Sequence, residues 1–267
     1  PLVLVPIANP ANAASMVFVA NALAPPNVGR VLLLSIVSPP AAGGADGLPD
    51  RLANAQQVLQ QALQAALQRG MAPEALTTIA AAPWPEIARV AQVHACESLL
   101  LGLSQLADAQ TTPRLAQLAN EVASDVIVLR PPFTGWDITQ VRRVLVPVGG
   151  QSAHDALRAR LLSSLWRAAQ PQITFLQIVP PETPPEARQK TAAALLRYAR
   201  EEVPGEPAAQ VVAATNVTET VTAHAREADL VILGLQRAGR RQRVFGDVTL
   251  RVARDTDCAL ILISRRV

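Results

Sequence analysis

Short apolar runs alternate with amphipathic segments along the whole chain. The apolar runs, rich in Val, Leu and Ile, have the length of strands and cover residues 2–7, 30–37, 76–80, 99–103, 126–129, 143–148, 173–179, 209–214, 230–234 and 259–264. Segments with helical spacing lie between them, at residues 11–23, 50–69, 85–95, 114–121, 152–169, 185–203, 217–226 and 247–253. Strands that are apolar throughout and alternate with helices predict an α/β fold with a parallel sheet covered on both faces.

The sequence contains a long-range repeat. The motif Val-Leu-Val-Pro occurs at residues 3–6 and again at 144–147, and strand-like runs that end in glycine stop at Gly102 and Gly234. A spacing of roughly 130 to 140 residues is too long for a solenoid and suits a whole small domain. The pattern therefore predicts two tandem, doubly wound, five-stranded domains at residues 1–134 and 135–267, joined by a proline-containing linker near residues 131–138.

Ligands of such sheets bind at the carboxyl ends of the strands, where the strand order reverses. This rule selects the same three loops in each repeat. In the first repeat they follow Ile7, Val37 and Gly102, and in the second they follow Val148, Val179 and Gly234.

Charge and composition narrow the class of partner. The net charge is +3, and Lys190 is the one basic residue of the chain that is not arginine. Aromatic residues make up 3% of the chain, too few to stack bases along a groove, so we expect no nucleic-acid partner. The apolar runs are too short to span a bilayer. The chain starts with Pro1 and enters a strand at once, which suggests a segment of a longer protein.

The sequence shows no catalytic constellation. A phosphate-binding loop with its Gly-Lys-Ser/Thr signature is impossible when Lys190 is the only lysine. His94, His154 and His224 have no nucleophile at a recognisable spacing. Asp155 is expected to begin a helix, and Glu201 and Glu202 are expected on a solvated helix end. We therefore predict a protein that is not an enzyme.

Cysteine usage indicates no metal site and no disulfide framework. Cys96 and Cys258 occupy different places in the two repeats, and each lies in an apolar context. A free cysteine in such a context behaves as a small hydrophobic residue. We expect two buried, inert thiols and no bound metal.

The strand motifs resemble those of the universal stress protein family. They are Val-Leu-Val-Pro-Val at residues 144–148, Leu-Gln-Ile-Val at 176–179, Asp-Leu-Val-Ile-Leu-Gly at 229–234 and Leu-Ile-Leu-Ile at 260–263. The resemblance extends over the whole chain as two copies. It implies a Rossmann-like domain that binds an adenine nucleotide, either ATP, ADP or AMP.

Nucleotide-binding members of that family carry Gly, two residues, Gly, nine residues, and then Gly-Ser or Gly-Thr after the fourth strand. The second repeat has Gly234, Gly239 and Gly246 in a span one residue shorter, with Asp247 in place of the hydroxyl residue and Thr249 two positions later. The negative charge of Asp247 would repel phosphates, which Arg237, Arg240 and Arg241 could offset. The acidic residue that the family carries after its first strand is missing. Asn9 and Gly149 stand near its two expected positions, and Asn9 also suits a turn that starts a helix.

The opening Ile-Ala-Asn-Pro-Ala-Asn-Ala at residues 7–13 resembles the tandem universal-stress-protein regions attached to bacterial membrane transporters. Cation/proton antiporters and amino-acid permeases carry such regions on the cytoplasmic side of the membrane. The resemblance implies a non-catalytic regulatory module that forms a homodimer and is linked to a transmembrane domain. A free-standing tandem protein that binds nucleotide in the cytosol is the alternative, and a weak nucleotide hydrolase is the least favoured class.

Overall fold

The computed structural model describes residues 1–24, 27–39, 47–104, 106, 108, 110–149, 155–235 and 246–265. The strands are β1 (Leu2–Pro6), β2 (Arg30–Val37), β3 (Glu74–Ile79), β4 (Ser98–Gly102), β5 (Asp125–Arg130), β6 (Arg143–Val148), β7 (Gln172–Val179), β8 (Ala208–Ala213), β9 (Leu230–Leu235) and β10 (Ala259–Ser264). The α-helices are α1 (Ala13–Leu23), α2 (Leu48–Leu67), α3 (Pro83–Val93), α4 (Thr111–Glu121), α5 (Ala156–Ala169), α6 (Pro185–Glu202), α7 (Val217–Ala225) and α8 (Asp247–Asp255).

Each predicted strand and helix corresponds to an observed element, with shifts of a few residues at the ends. Strands β2, β6 and β10 have the predicted bounds. The chain enters α1 through a 3-10 turn at Pro10–Asn12, so the α-helix starts two residues later than predicted. Helix α5 begins at Ala156, and residues 152–154 of the helix predicted at 152–169 lie outside the described residues.

All ten strands belong to one sheet, in the order β3-β2-β1-β4-β5-β10-β9-β6-β7-β8. Neighbouring strands are parallel except at the centre, where β5 and β10 pair antiparallel, with Ile261 opposite Leu129. We call β1 to β5 with their helices the N-terminal half and β6 to β10 with theirs the C-terminal half. The predicted α/β fold with a mostly parallel sheet is confirmed, and the strand order of one half is the mirror of the other.

Helices cover both faces of the sheet, and the strands between β3 and β8 bury side chains on both sides. One face packs against α1, α2, α5 and α6, with Phe175, Leu33 and Val146 among its buried residues. The other face packs against α3, α4, α7 and α8, with Leu4 and Leu260 among its buried residues. Within the described ranges, no helix combines the length and the apolar character needed to cross a membrane.

Helix α1 lies at the centre of the molecule and is buried on almost all sides, unlike a helix with one apolar face. Its Ser15 hydroxyl donates a hydrogen bond to the carbonyl oxygen of Trp136 (2.6 Å) and accepts one from the amide of Ile138 (3.2 Å). Both partners belong to the segment that connects β5 to β6. Ser15 therefore holds the connection between the two halves against the core.

The antiparallel pairing of β5 with β10 places the two halves head to tail. The carboxyl ends of β1, β2 and β4 consequently lie at one edge of the sheet, and those of β6, β7 and β9 lie at the opposite edge. The two sets of predicted ligand loops therefore face away from each other. Any coupling between them has to pass through the sheet or through the helices that pack on it.

Candidate functional site

The sheet of the C-terminal half opens between β6 and β9. These strands pair only at Val144 with Leu230 and at Leu145 with Val231, whereas the pairing of β6 with β7 continues to Val148. The strand order reverses at β6, so this divergence creates the crevice that a doubly wound sheet offers to ligands. Here we call it the C-terminal crevice. The first turn of α8 stands at the same edge, because α8 leads into β10 beside β9.

Glycines line the described part of the rim of the C-terminal crevice. A Cβ atom added at Gly149, Gly234 or Gly246 would have no described atom within 4 Å. Gly149 and Gly234 are exposed at the ends of β6 and β9, so a ligand can approach their backbone closely. Val148 is half-buried beside them, and Val179 at the end of β7 is buried.

The start of α8 has features that favour and features that oppose an anion. Gly246 is the N-cap residue and offers no side chain to the first-turn amides, which favours a ligand anion at this position. Asp247 is exposed in the first turn, where its charge stabilises the helix but repels phosphate. Thr249 is 4% exposed, so its side chain packs in the interior. The predicted contacts of Arg237, Gly239 and Arg240 lie outside the described residues, as does Arg241.

At the equivalent opening in the N-terminal half, a side chain packs against the glycine at the end of β4. Strands β1 and β4 likewise pair at only two positions before they diverge. The Sδ atom of Met16 would lie 3.0 Å from a Cβ added at Gly102, and Met16 is 3% exposed. Ile7 and Val37 are buried at the ends of β1 and β2. Gly102 itself is exposed, as Gly234 is, so Met16 packs against one side of this glycine.

The helices that follow the first strand of each half differ at a position counted from their N-caps. Met16 is the fourth residue after Asn12, the N-cap of α1, and Ala159 is the fourth residue after Asp155, the N-cap of α5. An alanine side chain ends at Cβ and cannot reach across a crevice as methionine does. Met16 packs against Gly102 in the N-terminal half, and Ala159 is half-buried in the C-terminal half.

Asn9 has a local structural role. Its side-chain oxygen accepts a hydrogen bond from the amide of Ala11 (3.0 Å) and caps the 3-10 turn at Pro10–Asn12. This matches the turn interpretation of the sequence. The side chain is exposed, and a contact with a ligand stays a prediction.

The expectation that Glu202 lies on a solvated helix end is wrong. Glu202 is 2% exposed, and its two oxygens accept hydrogen bonds from Nε and Nη2 of Arg158, both at 2.7 Å. Arg158 also contacts the hydroxyl of Tyr198, over whose ring its guanidinium lies 5.6 Å from the centroid. The spacing of Leu195, Ala199 and Glu202 places the glutamate on the buried stripe of α6, a signal that the sequence carried.

The buried ion pair orders the segment behind the C-terminal crevice. The amide of Asp155 donates to Glu202 (3.2 Å), while the Asp155 side chain accepts from the amides of Leu157 and Arg158. The prediction that Asp155 begins a helix is confirmed. Burial raises the pKa of Tyr198 to about 12, so its hydroxyl stays protonated at neutral pH. The first turn of α5 is therefore fixed by α6 at the point where the chain returns from β6.

The remaining titratable groups offer no catalytic arrangement in the described ranges. Cys96 and Cys258 are buried as predicted, and burial raises the pKa of Cys96 to about 11. His224 is engaged by the carbonyl oxygen of Thr220 (2.8 Å) and by Gln210 (3.2 Å). No group of three His, Cys, Asp or Glu side chains that could hold a metal ion occurs among the described residues.

Comparison with known proteins shows a family match over most of the C-terminal half. The sequence model described as "Universal stress protein family" matches residues 140–264. The whole chain superposes on the cytoplasmic domain of a prokaryotic cation chloride cotransporter with a TM-score of 0.65 and 13% identity, covering 99% of this chain and 95% of that one. It superposes on a universal stress protein from Archaeoglobus fulgidus with a TM-score of 0.60 and 12% identity, covering 100% and 98% of the two chains. No curated protein matches the sequence significantly. Residues 140–264 thus match the universal stress protein family, and the fold of the entire chain is similar to that of universal stress proteins.

Proposed function

We propose that the chain is a tandem pair of universal-stress-protein-like domains that serves as the cytoplasmic regulatory region of a membrane transporter. The observation that carries this proposal is the likeness to a transporter's cytoplasmic domain over nearly the full length of both chains. The mirrored strand order of the two halves supports the tandem arrangement. The cation/proton antiporter type is the transporter that the opening residues favour, and the role is regulatory and not catalytic.

The sensing part of this proposal rests on the C-terminal crevice. Its open glycines, Gly149, Gly234 and Gly246, permit close approach of a nucleotide, and the N-terminus of α8 favours a phosphate. ATP, ADP or AMP bound there would stabilise one arrangement of the protein over others, which is a population shift. A homodimer of the chain would transmit that shift to an attached transmembrane domain.

A free-standing tandem protein that binds nucleotide in the cytosol is the second candidate. The likeness to the protein from Archaeoglobus fulgidus, which also covers both chains almost completely, favours it. The full reading frame separates the two functions. A long, strongly apolar region encoded in frame upstream supports the transporter, and its absence from the full gene excludes it.

Nucleotide binding is tested by isothermal titration of the chain with ATP, ADP and AMP. We expect one molecule bound per chain, because Met16 packs against Gly102 at the other opening. Replacing Ala159 with methionine should abolish or strongly weaken binding, since it introduces the side chain that packs against the glycine in the N-terminal half. The matched control is Ala168→Met, on the exposed part of the same helix. No heat of binding at millimolar nucleotide would refute the sensing role, and two sites per chain would refute its assignment to one half.

A further inference from the structure

One arginine of the N-terminal half holds a helix of the C-terminal half. Arg130 ends β5, and its Nη1 atom donates to the carbonyl oxygen of Cys258 (2.6 Å). Its Nη2 atom donates to the carbonyl oxygens of Ala253 (2.6 Å) and Thr256 (3.4 Å). The last carbonyl groups of an α-helix have no partner within the helix and carry a partial negative charge. The Arg130 guanidinium supplies both hydrogen bonds and charge to the C-terminus of α8.

Helix α8 needs such an external support. It is nine residues long, about 13 Å, and among its residues only Thr249 and Val252 are buried. Val248, Leu250 and Ala253 are partly buried against the core, so α8 packs through a narrow face and support from Arg130 adds to this packing. Because α8 is short, its supported last turn lies only about 13 Å from its first turn. That first turn, with Gly246 as the N-cap, stands at the rim of the C-terminal crevice.

The corresponding helix of the N-terminal half is supported differently. The C-terminus of α4 receives a hydrogen bond from Nε2 of Gln92 to the carbonyl oxygen of Glu121 (3.0 Å), and Gln92 belongs to α3 of the same half. In the described part of the chain, no arginine of the C-terminal half donates to the last carbonyls of α4. Among the described residues, support of a helix C-terminus by an arginine of the other half therefore runs in one direction, from the N-terminal half to the C-terminal half.

We propose that Arg130 is a positioning residue for the C-terminal crevice: it holds α8 in place and thereby sets the affinity of a site to which its own half contributes no ligand contact. This inference rests on the proposed function for the identity of the ligand, an adenine nucleotide. The position of α8 can be followed without any ligand. The N-terminal half then contributes to ligand binding by holding α8, although it does not contact the ligand.

The test compares Arg130→Met with Arg114→Met, which removes an exposed arginine of α4, at a temperature where both variants are fully folded. Arg130→Met should speed hydrogen exchange of the α8 amides, residues 247–255, and leave α7, residues 217–225, unchanged. It should also weaken binding of ADP or ATP by about fivefold or more, within the range of typical coupling energies. Arg130→Lys, which restores the charge but not the forked hydrogen bonds, should fall between the two.

The outcomes separate this inference from the proposed function. Unchanged exchange in α8, or equally faster exchange in α7 and α8, overturns the positioning role, since the second result means general destabilisation. Wild-type protein that binds nucleotide with an affinity unaffected by Arg130→Met overturns it as well. Wild-type protein that binds no nucleotide refutes the sensing function, whereas faster exchange confined to α8 still supports Arg130 as the residue that holds this helix.

Discussion

Each half of the sheet has a glycine at or next to the end of its fourth strand, Gly102 in β4 and Gly234 in β9. The atoms around these two glycines differ. Gly102 at the end of β4 lies under Met16, whereas no described atom would meet a Cβ atom at Gly234 in β9. The backbone architecture around both is alike, with two paired positions before the strands diverge. The topology provides an opening in each half, and Met16 packs against the glycine of one of them.

A second difference lies one position earlier in the same helices. The third residue after the N-cap is Ser15 in α1 and Arg158 in α5. Ser15 binds the connection between the halves through neutral hydrogen bonds, and Arg158 forms a buried ion pair with Glu202. Equivalent helices are thus anchored by unlike chemistry. Loss of the Ser15 hydrogen bonds and loss of the Arg158–Glu202 ion pair should therefore lower the free energy of unfolding by different amounts.

The largest expected effect follows from breaking the buried ion pair. Glu202→Leu should lower the free energy of unfolding by about 3 to 5 kcal/mol, because Arg158 would keep a charge in the interior without its bidentate partner. Chemical denaturation measures the loss. The exposed neighbour provides the control, since Glu201→Leu should change stability by about 0.5 kcal/mol or less.

The double variant Arg158→Met, Glu202→Leu separates loss of the pair from loss of packing. It should recover most of the stability, because an apolar pair of similar volume has no charge to desolvate. If the double variant is no more stable than Glu202→Leu alone, the ion pair is not the reason for the loss.

The next effect concerns the side chain that packs against Gly102 in the N-terminal half. Met16→Ala should destabilise the protein by about 2 to 4 kcal/mol, since it leaves a cavity over Gly102 in a well-packed region. The only other methionine, Met71, is half-buried and gives a matched control, for which we expect a smaller loss. Denaturant midpoints measured on both variants check this order, and a larger cost for Met71→Ala would contradict the core role of Met16.

The smallest expected effect is the pH dependence of stability that comes from Tyr198 in the C-terminal half. Tyr198 is the only tyrosine of the chain, so ultraviolet absorbance reports its ionisation alone among phenols. Because burial raises its pKa to about 12, we expect it to ionise well above the usual value near 10 while the protein is folded. The unfolded chain loses this proton more readily, so stability should fall as the pH rises from about 10 towards 12. Ionisation near pH 10 with an intact circular dichroism spectrum would show that Tyr198 is not buried.

Four residues show which properties of individual side chains the sequence predicts and which it does not. Asp155 was predicted as a helix start and caps α5, because Asp at that position satisfies amides in any tertiary context. The burial of Cys96 followed from its apolar neighbours. The charge of the last turn of α6 predicts a solvated Glu202, which is wrong, because Glu202 lies on the same buried stripe as Leu195 and Ala199. Met16 was hidden within a helix of apolar residues, where nothing in the sequence marks which side chain crosses to Gly102.

The sequence by itself determined the alternation of strands and helices, the repeat, and the parallel character of most of the sheet. These features depend on local periodicity and on runs of apolar residues that any sheet covered on both faces requires. Only the tertiary structure decided that β5 and β10 join antiparallel, that the two crevices face opposite edges, and that Arg130 reaches α8. Those contacts join residues more than a hundred positions apart, and the packing that selects them is a property of the assembled core.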